Sequence, residues 1–418
     1  MNLGFLIFSV FILSAIVLLG FFNEKVSKLT YEIALMLFAV GIGAVITVVA
    51  VLSTGTSLSD VLSRATSFNI EKFLMDGALC FMLFAGSCHM KLSDFKRLAR
   101  PVGVLSIGAT LLGAVFYGLL FYGVSAALGL GFTLPMCLMF GSVVAPTDPI
   151  AATSILNKFG LPKDTSFIIE GESLLNDGVG VALFVCFSGM VTHESGDGFF
   201  TVMLREILGA AVVGLVVSIV LFQVFKRLSD EKLRIFTSLL SVALSYLLCE
   251  FFDFSGAIAS VVCGVAFSYM RGKMEEKSPT KIELKQFDGF WEVLDSLMNS
   301  VLYVMMGLSF IRIMQMEHVI ILSLCAIVCN FIGRFGSVYA CTFFTGKLPD
   351  GYTKGRFSML LTWGGLRGGL SIALAMSTVD MLPENIYHIV LGCAFAIAFF
   401  TTVVQGLTMR KVYARLSR

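Results

Sequence analysis

Apolar residues recur along this chain in runs of about twenty, separated by short polar links, over almost its whole length. A run of that length forms a helix that spans a hydrocarbon core of about 30 Å. In lipid, a helix satisfies its own backbone polar groups, which open strands and irregular loops do not. The runs fall at 3–22, 31–52, 72–90, 102–128, 132–157, 165–191, 201–225, 233–251, 254–271, 290–311, 317–343, 355–379 and 385–409, and predict thirteen transmembrane helices. An odd number places the termini on opposite sides. The first run has no basic stretch before it and no small-residue cleavage site after it, so it is expected to be a retained helix rather than a leader.

Basic residues test this topology, because cytoplasmic links are enriched in Lys and Arg. Links on the side of the C-terminus hold 24 of the 30 lysines and arginines. The opposite links and adjoining segment ends hold four, Arg64, Lys72, Arg205 and Arg312, and two more, Arg334 and Arg367, lie deep inside segments. This asymmetry predicts a multi-pass protein of the cell (inner) membrane with a cytoplasmic C-terminus and the N-terminus on the other side.

Composition fixes the class. The 418 residues are 57% hydrophobic and 14% charged, against about 25% charged in soluble domains, so an all-α polytopic membrane protein is expected. The net charge of +2 implies no nucleic-acid partner. Neither a nucleotide cofactor nor a soluble regulatory domain is expected, and the longest polar link, 271–289, reads as a short cytoplasmic connector. Ten cysteines are scattered through the apolar runs without zinc-site spacing and read as small buried hydrophobes.

Two segments are interrupted. The fifth contains Ala145-Pro146-Thr147-Asp148-Pro149, and the twelfth contains Trp363-Gly364-Gly365-Leu366-Arg367-Gly368-Gly369. Proline removes a backbone donor and paired glycines weaken a helix. Broken helices at corresponding places in two halves point to a transporter's central site. Segments five and twelve correspond if segments 1–6 and 8–13 form two inverted six-helix repeats joined by segment seven. A break exposes helix-end carbonyls and amides at mid-membrane, where carbonyls suit a hard cation. Asp148 adds a carboxylate and Thr147 a hydroxyl or carbonyl. The plainer alternative is a proline kink capped by Asp148.

Segment six carries the densest polar run, Glu170-Gly171-Glu172-Ser173-Leu174-Leu175-Asn176-Asp177. Ionisable groups at bilayer depth are costly and usually mark an ion or proton path. Ser173, Asn176 and Asp177 are spaced i, i+3 and i+4 and share a helix face. Their hydroxyl, amide and carboxylate can replace much of an alkali ion's hydration shell. The same carboxylate can take a proton instead, so proton and sodium compete for one site. Glu172 lies about 100° round the helix from Ser173 and can reach a neighbour. The buried arginines need partners. Glu172 is expected to pair with Arg334, with Arg367 as the other choice. Arg367 is expected near the carbonyl ends of segment twelve, where it can stand in for a second cation. Asp76, Glu250, Asp253 and His89 read as interfacial or packing residues.

Four motifs make the chain resemble the monovalent cation:proton antiporter-1 family, which includes the bacterial NhaP-type and animal NHE-type exchangers. They are Thr147-Asp148-Pro149; Glu170 to Asp177; Phe290-Trp291-Glu292 with Asn299-Ser300 and Gly307; and Gly364-Gly365-Leu366-Arg367-Gly368-Gly369. The resemblance implies thirteen helices in inverted repeats and a homodimer in the lipid bilayer. It also implies interface helices at about 1–90 and 201–311, with an ion-carrying core at about 102–191 and 317–409. It makes Asp177 the ion- and proton-binding carboxylate, with Asn176 beside it and Thr147, Asp148 and Ser173 completing a sodium site. Glu172 pairs with a buried arginine. One departure is visible: the family often has Phe-Glu-Gly where this chain has Phe84-Ala85-Gly86, so a pH response through that glutamate is not expected. Relatives that move two protons per sodium carry an Asp-Asp pair where this chain has Asn176-Asp177, which predicts electroneutral one-for-one exchange of sodium (or lithium) for a proton.

Potassium/proton exchange is the nearest alternative, and a cation channel the next. An enzyme is not expected: Ser173 has no nearby histidine, and there is no His-Glu-x-x-His motif.

Overall fold

The computed structural model describes residues 3–27, 29–52, 79–88, 92–148, 161–192, 199–277, 284–313 and 319–416, and no strand occurs among them. Asp76, His89 and Pro149 lie outside the described residues. Among the described residues sixteen α-helices follow one another: α1 (Leu3–Phe22), α2 (Tyr31–Leu52), α3 (Leu79–Cys88), α4 (Leu92–Gly103), α5 (Thr110–Leu128), α6 (Leu134–Val144), α7 (Lys163–Thr192) and α8 (Phe199–Phe225). Then come α9 (Glu231–Phe251), α10 (Gly256–Lys277), α11 (Lys285–Ile313), α12 (Val319–Cys341), α13 (Lys354–Gly364), α14 (Gly369–Met376), α15 (Glu384–Phe399) and α16 (Gly406–Leu416). π-helical turns join α4 to α5 and α15 to α16.

Each apolar run in the sequence overlaps at least one of these helices. Among the described residues seven spans are long and apolar enough to cross a membrane alone, and eight if α13 and α14 count as one bent crossing. Ile33–Ile42 within α2, and the whole of α3 and α6, are shorter apolar stretches.

Helix ends follow local chemistry. Thr133 accepts a hydrogen bond from the amide of Met136 at the start of α6, with Pro135 in the first turn, where its missing N–H is not needed. The helix stops after Val144, where Ala145 still has helical dihedrals (φ −72°, ψ −40°) but Pro146 has no amide to continue the hydrogen-bond ladder. Thr353 caps α13 in the same way through the amide of Arg356. That helix ends at Gly364, the chain runs non-helically through 365–368, and α14 restarts at a 65° angle.

Two packed groups result. In one, α5 packs on α6 and α12, α6 on α7, and α12 on α15. Phe121 and Tyr117 of α5 meet Phe140 of α6 edge-on, with ring centres 5.1 and 5.0 Å apart. Gly141 lets the two backbones touch, since a Cβ there would run into the carbonyl of Ala114. Close approach through small residues is how helices associate where lipid removes the hydrophobic drive. In the other group α10 packs on α3, α8 and α9, around Phe84, Phe225, Phe267, Phe287 and Trp291. The indole of Trp291 is fully buried, lies 4.5 Å from Phe84 and donates to Ser238 Oγ at 3.1 Å. Ala85, which stands where the family often has glutamate, is buried in this apolar cluster. α11 packs on α2 and α3 and also reaches α14. Nine of the ten cysteines are buried, Cys325 is half-buried, and none of the ten is in a disulfide.

Candidate functional site

The breaks in segments five and twelve meet. The amide of Asp148 donates to the carbonyl of Leu366 at 2.7 Å. A Cβ at Gly368 would lie 2.7 Å from Asp148 Oδ2, and one at Gly365 would lie 3.2 Å from Thr147 Cγ2. The unpaired backbone groups that each break creates are therefore partly spent on the other break. Glycine in segment twelve is what allows the approach.

α7 runs past this crossing and presents its polar run to it. Gly180 gives the room: a Cβ there would collide with the ring of Pro146. Ser173 Oγ and Thr147 Oγ1 are 2.8 Å apart. Asn176 holds Thr147 twice, accepting its amide N–H at 3.2 Å and donating to its hydroxyl at 2.7 Å. Asn176 also donates to Glu172 Oε1 at 2.9 Å. Thr147, Ser173 and Asn176 are all buried.

Between Arg334 and Arg367, Arg334 on α12 is the one that meets Glu172. Its two terminal nitrogens donate to the two carboxylate oxygens at 2.9 and 2.8 Å, a bidentate pair with Glu172 2% and Arg334 4% exposed. Arg367 is 2% exposed, and its guanidinium bonds to groups outside its own segment. It donates to the carbonyl of Pro146 at 3.1 Å and to Asn330 Oδ1 at 3.1 Å. The carbonyl it covers thus belongs to the break in segment five, not to segment twelve, because the two breaks cross. Its own backbone is fixed by Thr401, which accepts its N–H at 3.0 Å, and by Thr402, which donates to its carbonyl at 3.0 Å.

Asp177 stands apart from this hydrogen-bonded set. It is half-buried and forms no hydrogen bond or ion pair among the described residues. The charges acting on it are the carboxylates of Asp148, Asp295 and Glu172 and the guanidinium of Arg367. Glu172 is paired with Arg334, and Asp148, Asp295 and Arg367 are the other charges acting on Asp177. Carboxylates gathered in this way suit a bound cation or proton. Asp148 accepts from Tyr303 Oη at 3.3 Å.

Sequence reasoning did not single out Tyr303, Asp295 or Asn330. Asp295, Asn299 and Tyr303 recur at i, i+4 and i+8 within an apolar segment, a polar stripe that periodicity alone could have flagged. Asn330 lies one turn before Arg334 on the same face. Glu250 and Asp253 are exposed at the end of α9, and Asp253 adopts a left-handed conformation (φ 55°).

The family model for the transmembrane sodium/hydrogen exchanger matches residues 67–414. Among curated proteins, the Na(+)/H(+) antiporter NhaG of Bacillus atrophaeus is 34% identical over 68% of this chain and 53% of its own length, so the match spans about half of that relative. The Na(+)/H(+) antiporter NhaP of Pseudomonas aeruginosa is 27% identical over 83% of this chain and 82% of its own. NhaH of Halobacillus aidingensis is 34% identical over 69% and 70%. The fold is similar to that of the sodium proton antiporter MjNhaP1 from Methanocaldococcus jannaschii, with a TM-score of 0.77 at 19% identity over 99% of this chain and 98% of that one. By its matched motifs and its relatives, this chain belongs to the transmembrane sodium/hydrogen exchanger family.

Proposed function

We infer that the protein is a secondary antiporter that exchanges sodium (or lithium) for protons across a cell membrane. The observation that carries this reading is Asp177, a half-buried carboxylate without a hydrogen-bond partner among the described residues, beside the crossed breaks. Thr147, Asp148 and Ser173 supply the oxygen ligands of the sodium site with Asp177, and Asn176 holds Thr147 in place. Sodium and proton bind to Asp177 in competition. The Glu172–Arg334 pair is structural, and Arg367 offsets negative charge behind the site.

Coupling follows if the site changes sides only when it is occupied. The ion-carrying core at about 102–191 and 317–409 moves against the interface helices at about 1–90 and 201–311, by alternating access. Thirteen crossings and a cytoplasmic C-terminus belong to the same reading, supported by the apolar runs and the charge asymmetry; inverted repeats, supported by the positions of the two breaks, and a homodimer, as the family resemblance implies, complete it. With one titrating carboxylate the exchange is one proton for one sodium. Such exchange forgoes the roughly 2.3 kcal/mol that one charge gains across 100 mV.

The test is a competition series in proteoliposomes with lithium, sodium and potassium gradients, at zero voltage and with an imposed inside-negative voltage. Sodium- and lithium-driven proton movement, with no sustained acceleration by voltage, is the expected result. Potassium-driven movement alone would replace sodium with potassium. Conductive flux uncoupled from protons would turn the reading into a channel.

A further inference from the structure

α11 presents a polar stripe to the crossing. Asn299 Nδ2 donates to Asp295 Oδ2 at 3.2 Å, and one turn further on Tyr303 Oη donates to Asp148 Oδ2 at 3.3 Å. The stripe also touches segment twelve, since a Cβ at Gly369 would lie 3.1 Å from Asn299 Oδ1. Tyr303 is 2% exposed, and its ring belongs to the same apolar cluster as Phe140 and Val144. Packing therefore fixes the ring, and the ring aims the hydroxyl.

We propose that Tyr303 is a positioning residue that sets cation affinity by holding the Asp148 carboxylate from α11. The proposal rests on the antiport reading above. A neutral donor suits this task. It fixes the carboxylate's orientation without adding a positive charge that would compete with the cation, as a guanidinium in its place would. The bond also joins two different parts of the molecule. α11 packs chiefly on α2 and α3 and also reaches α14, whereas Asp148 is bonded into the crossing, whose residues are held by α7 and α12. Relative movement of those parts breaks the bond, so the tighter cation site belongs to the arrangement seen here.

Tyr303→Phe removes the hydroxyl and keeps the ring. Two readouts separate positioning from mere packing: the half-saturating sodium concentration against the maximal rate of exchange, and the sodium dependence of thermal stability in detergent. The expected result is a rise of roughly tenfold in half-saturating sodium in both assays, the size of one hydrogen bond to a charged group. The maximal rate and the sodium-free Tm stay near wild type. Adding Tyr303→Phe to Asp148→Asn should produce no further change in the thermal titration, because the hydroxyl acts through that carboxylate. Unchanged half-saturation in Tyr303→Phe, or an equal loss in the Asp148→Asn background, overturns the proposal. If wild type shows no sodium-linked proton movement, the antiport reading fails. The thermal titration, run with sodium and with potassium, still decides the role of Tyr303, and no response of wild type to either ion overturns both.

Discussion

The amide nitrogen of Asp148 and the carbonyl of Leu366, 218 residues apart in sequence, are 2.7 Å apart and hydrogen-bonded. Each residue lies in the break of a different apolar segment. Arg367 adds a second tie by donating to Pro146. A side chain that moves one break will therefore disturb the other, and the polar atoms of both form one unit with α7.

Glu172 and Arg334 bind that unit to α12. Removing one partner of a buried ion pair leaves a charge without compensation and costs about 3–5 kcal/mol. Arg334→Ala is expected to lower stability by about that amount. Arg334→Lys keeps the charge but loses the fork that meets both oxygens of Glu172, so it should fall in between. Chemical unfolding in detergent measures this order, and an Arg334→Ala protein as stable as wild type would contradict it.

Two glycines on α7 form a matched pair for testing the approach of that helix. A Cβ at Gly180 would meet Pro146, whereas one at Gly189 would meet nothing within 4 Å. Gly180→Ala is expected to lose most exchange activity, because Pro146 and with it Thr147 must shift. Gly189→Ala should behave as wild type. Proton-flux assays on the two proteins at equal expression decide it, and equal activity would speak against a tight crossing.

Arg367 bridges a carbonyl and an amide oxygen with separate nitrogens. A lysine ammonium is a compact point charge on a flexible stem and does not reproduce that fork. Arg367→Lys should slow exchange by roughly tenfold, the loss of about one charged hydrogen bond. Initial rates at saturating sodium measure the effect. A wild-type rate would mean that only the charge of Arg367 matters.

Much of this was legible in the chain. The apolar runs, the two breaks and the polar run on segment six stand out because charge and proline are so rarely tolerated at bilayer depth. The Glu172–Arg334 pair was readable because so few buried cations exist to choose from. The position of Arg367 was not. Its placement depends on two breaks crossing, and a relation between segments more than 200 residues apart leaves no local pattern. Tyr303 was missed for a related reason. A tyrosine in an apolar helix reads as core, and here the ring is core while only its hydroxyl serves the site.

Competition at one carboxylate has a pH signature of definite sign. A proton on Asp177 excludes sodium, so lowering the pH should raise the half-saturating sodium concentration and leave the maximal rate at saturating sodium unchanged. Where the protonated form predominates, the rise approaches roughly tenfold per pH unit for one-for-one competition. Asp148, Asp295, Glu172 and Arg367 also act on Asp177, so the midpoint belongs to the cluster. Sodium titrations across pH read this out, and a half-saturation that does not change with pH would remove proton competition from the mechanism.

The central claim is that one carboxylate, Asp177, carries both ions. The most direct measurement is internal pH in proteoliposomes during a sodium pulse, with voltage held at zero, for wild type and Asp177→Asn. The account predicts proton movement that follows the sodium gradient in wild type and vanishes in a folded Asp177→Asn protein. Full sodium-linked proton movement in that variant would contradict it and shift the site to Asp148 or beyond.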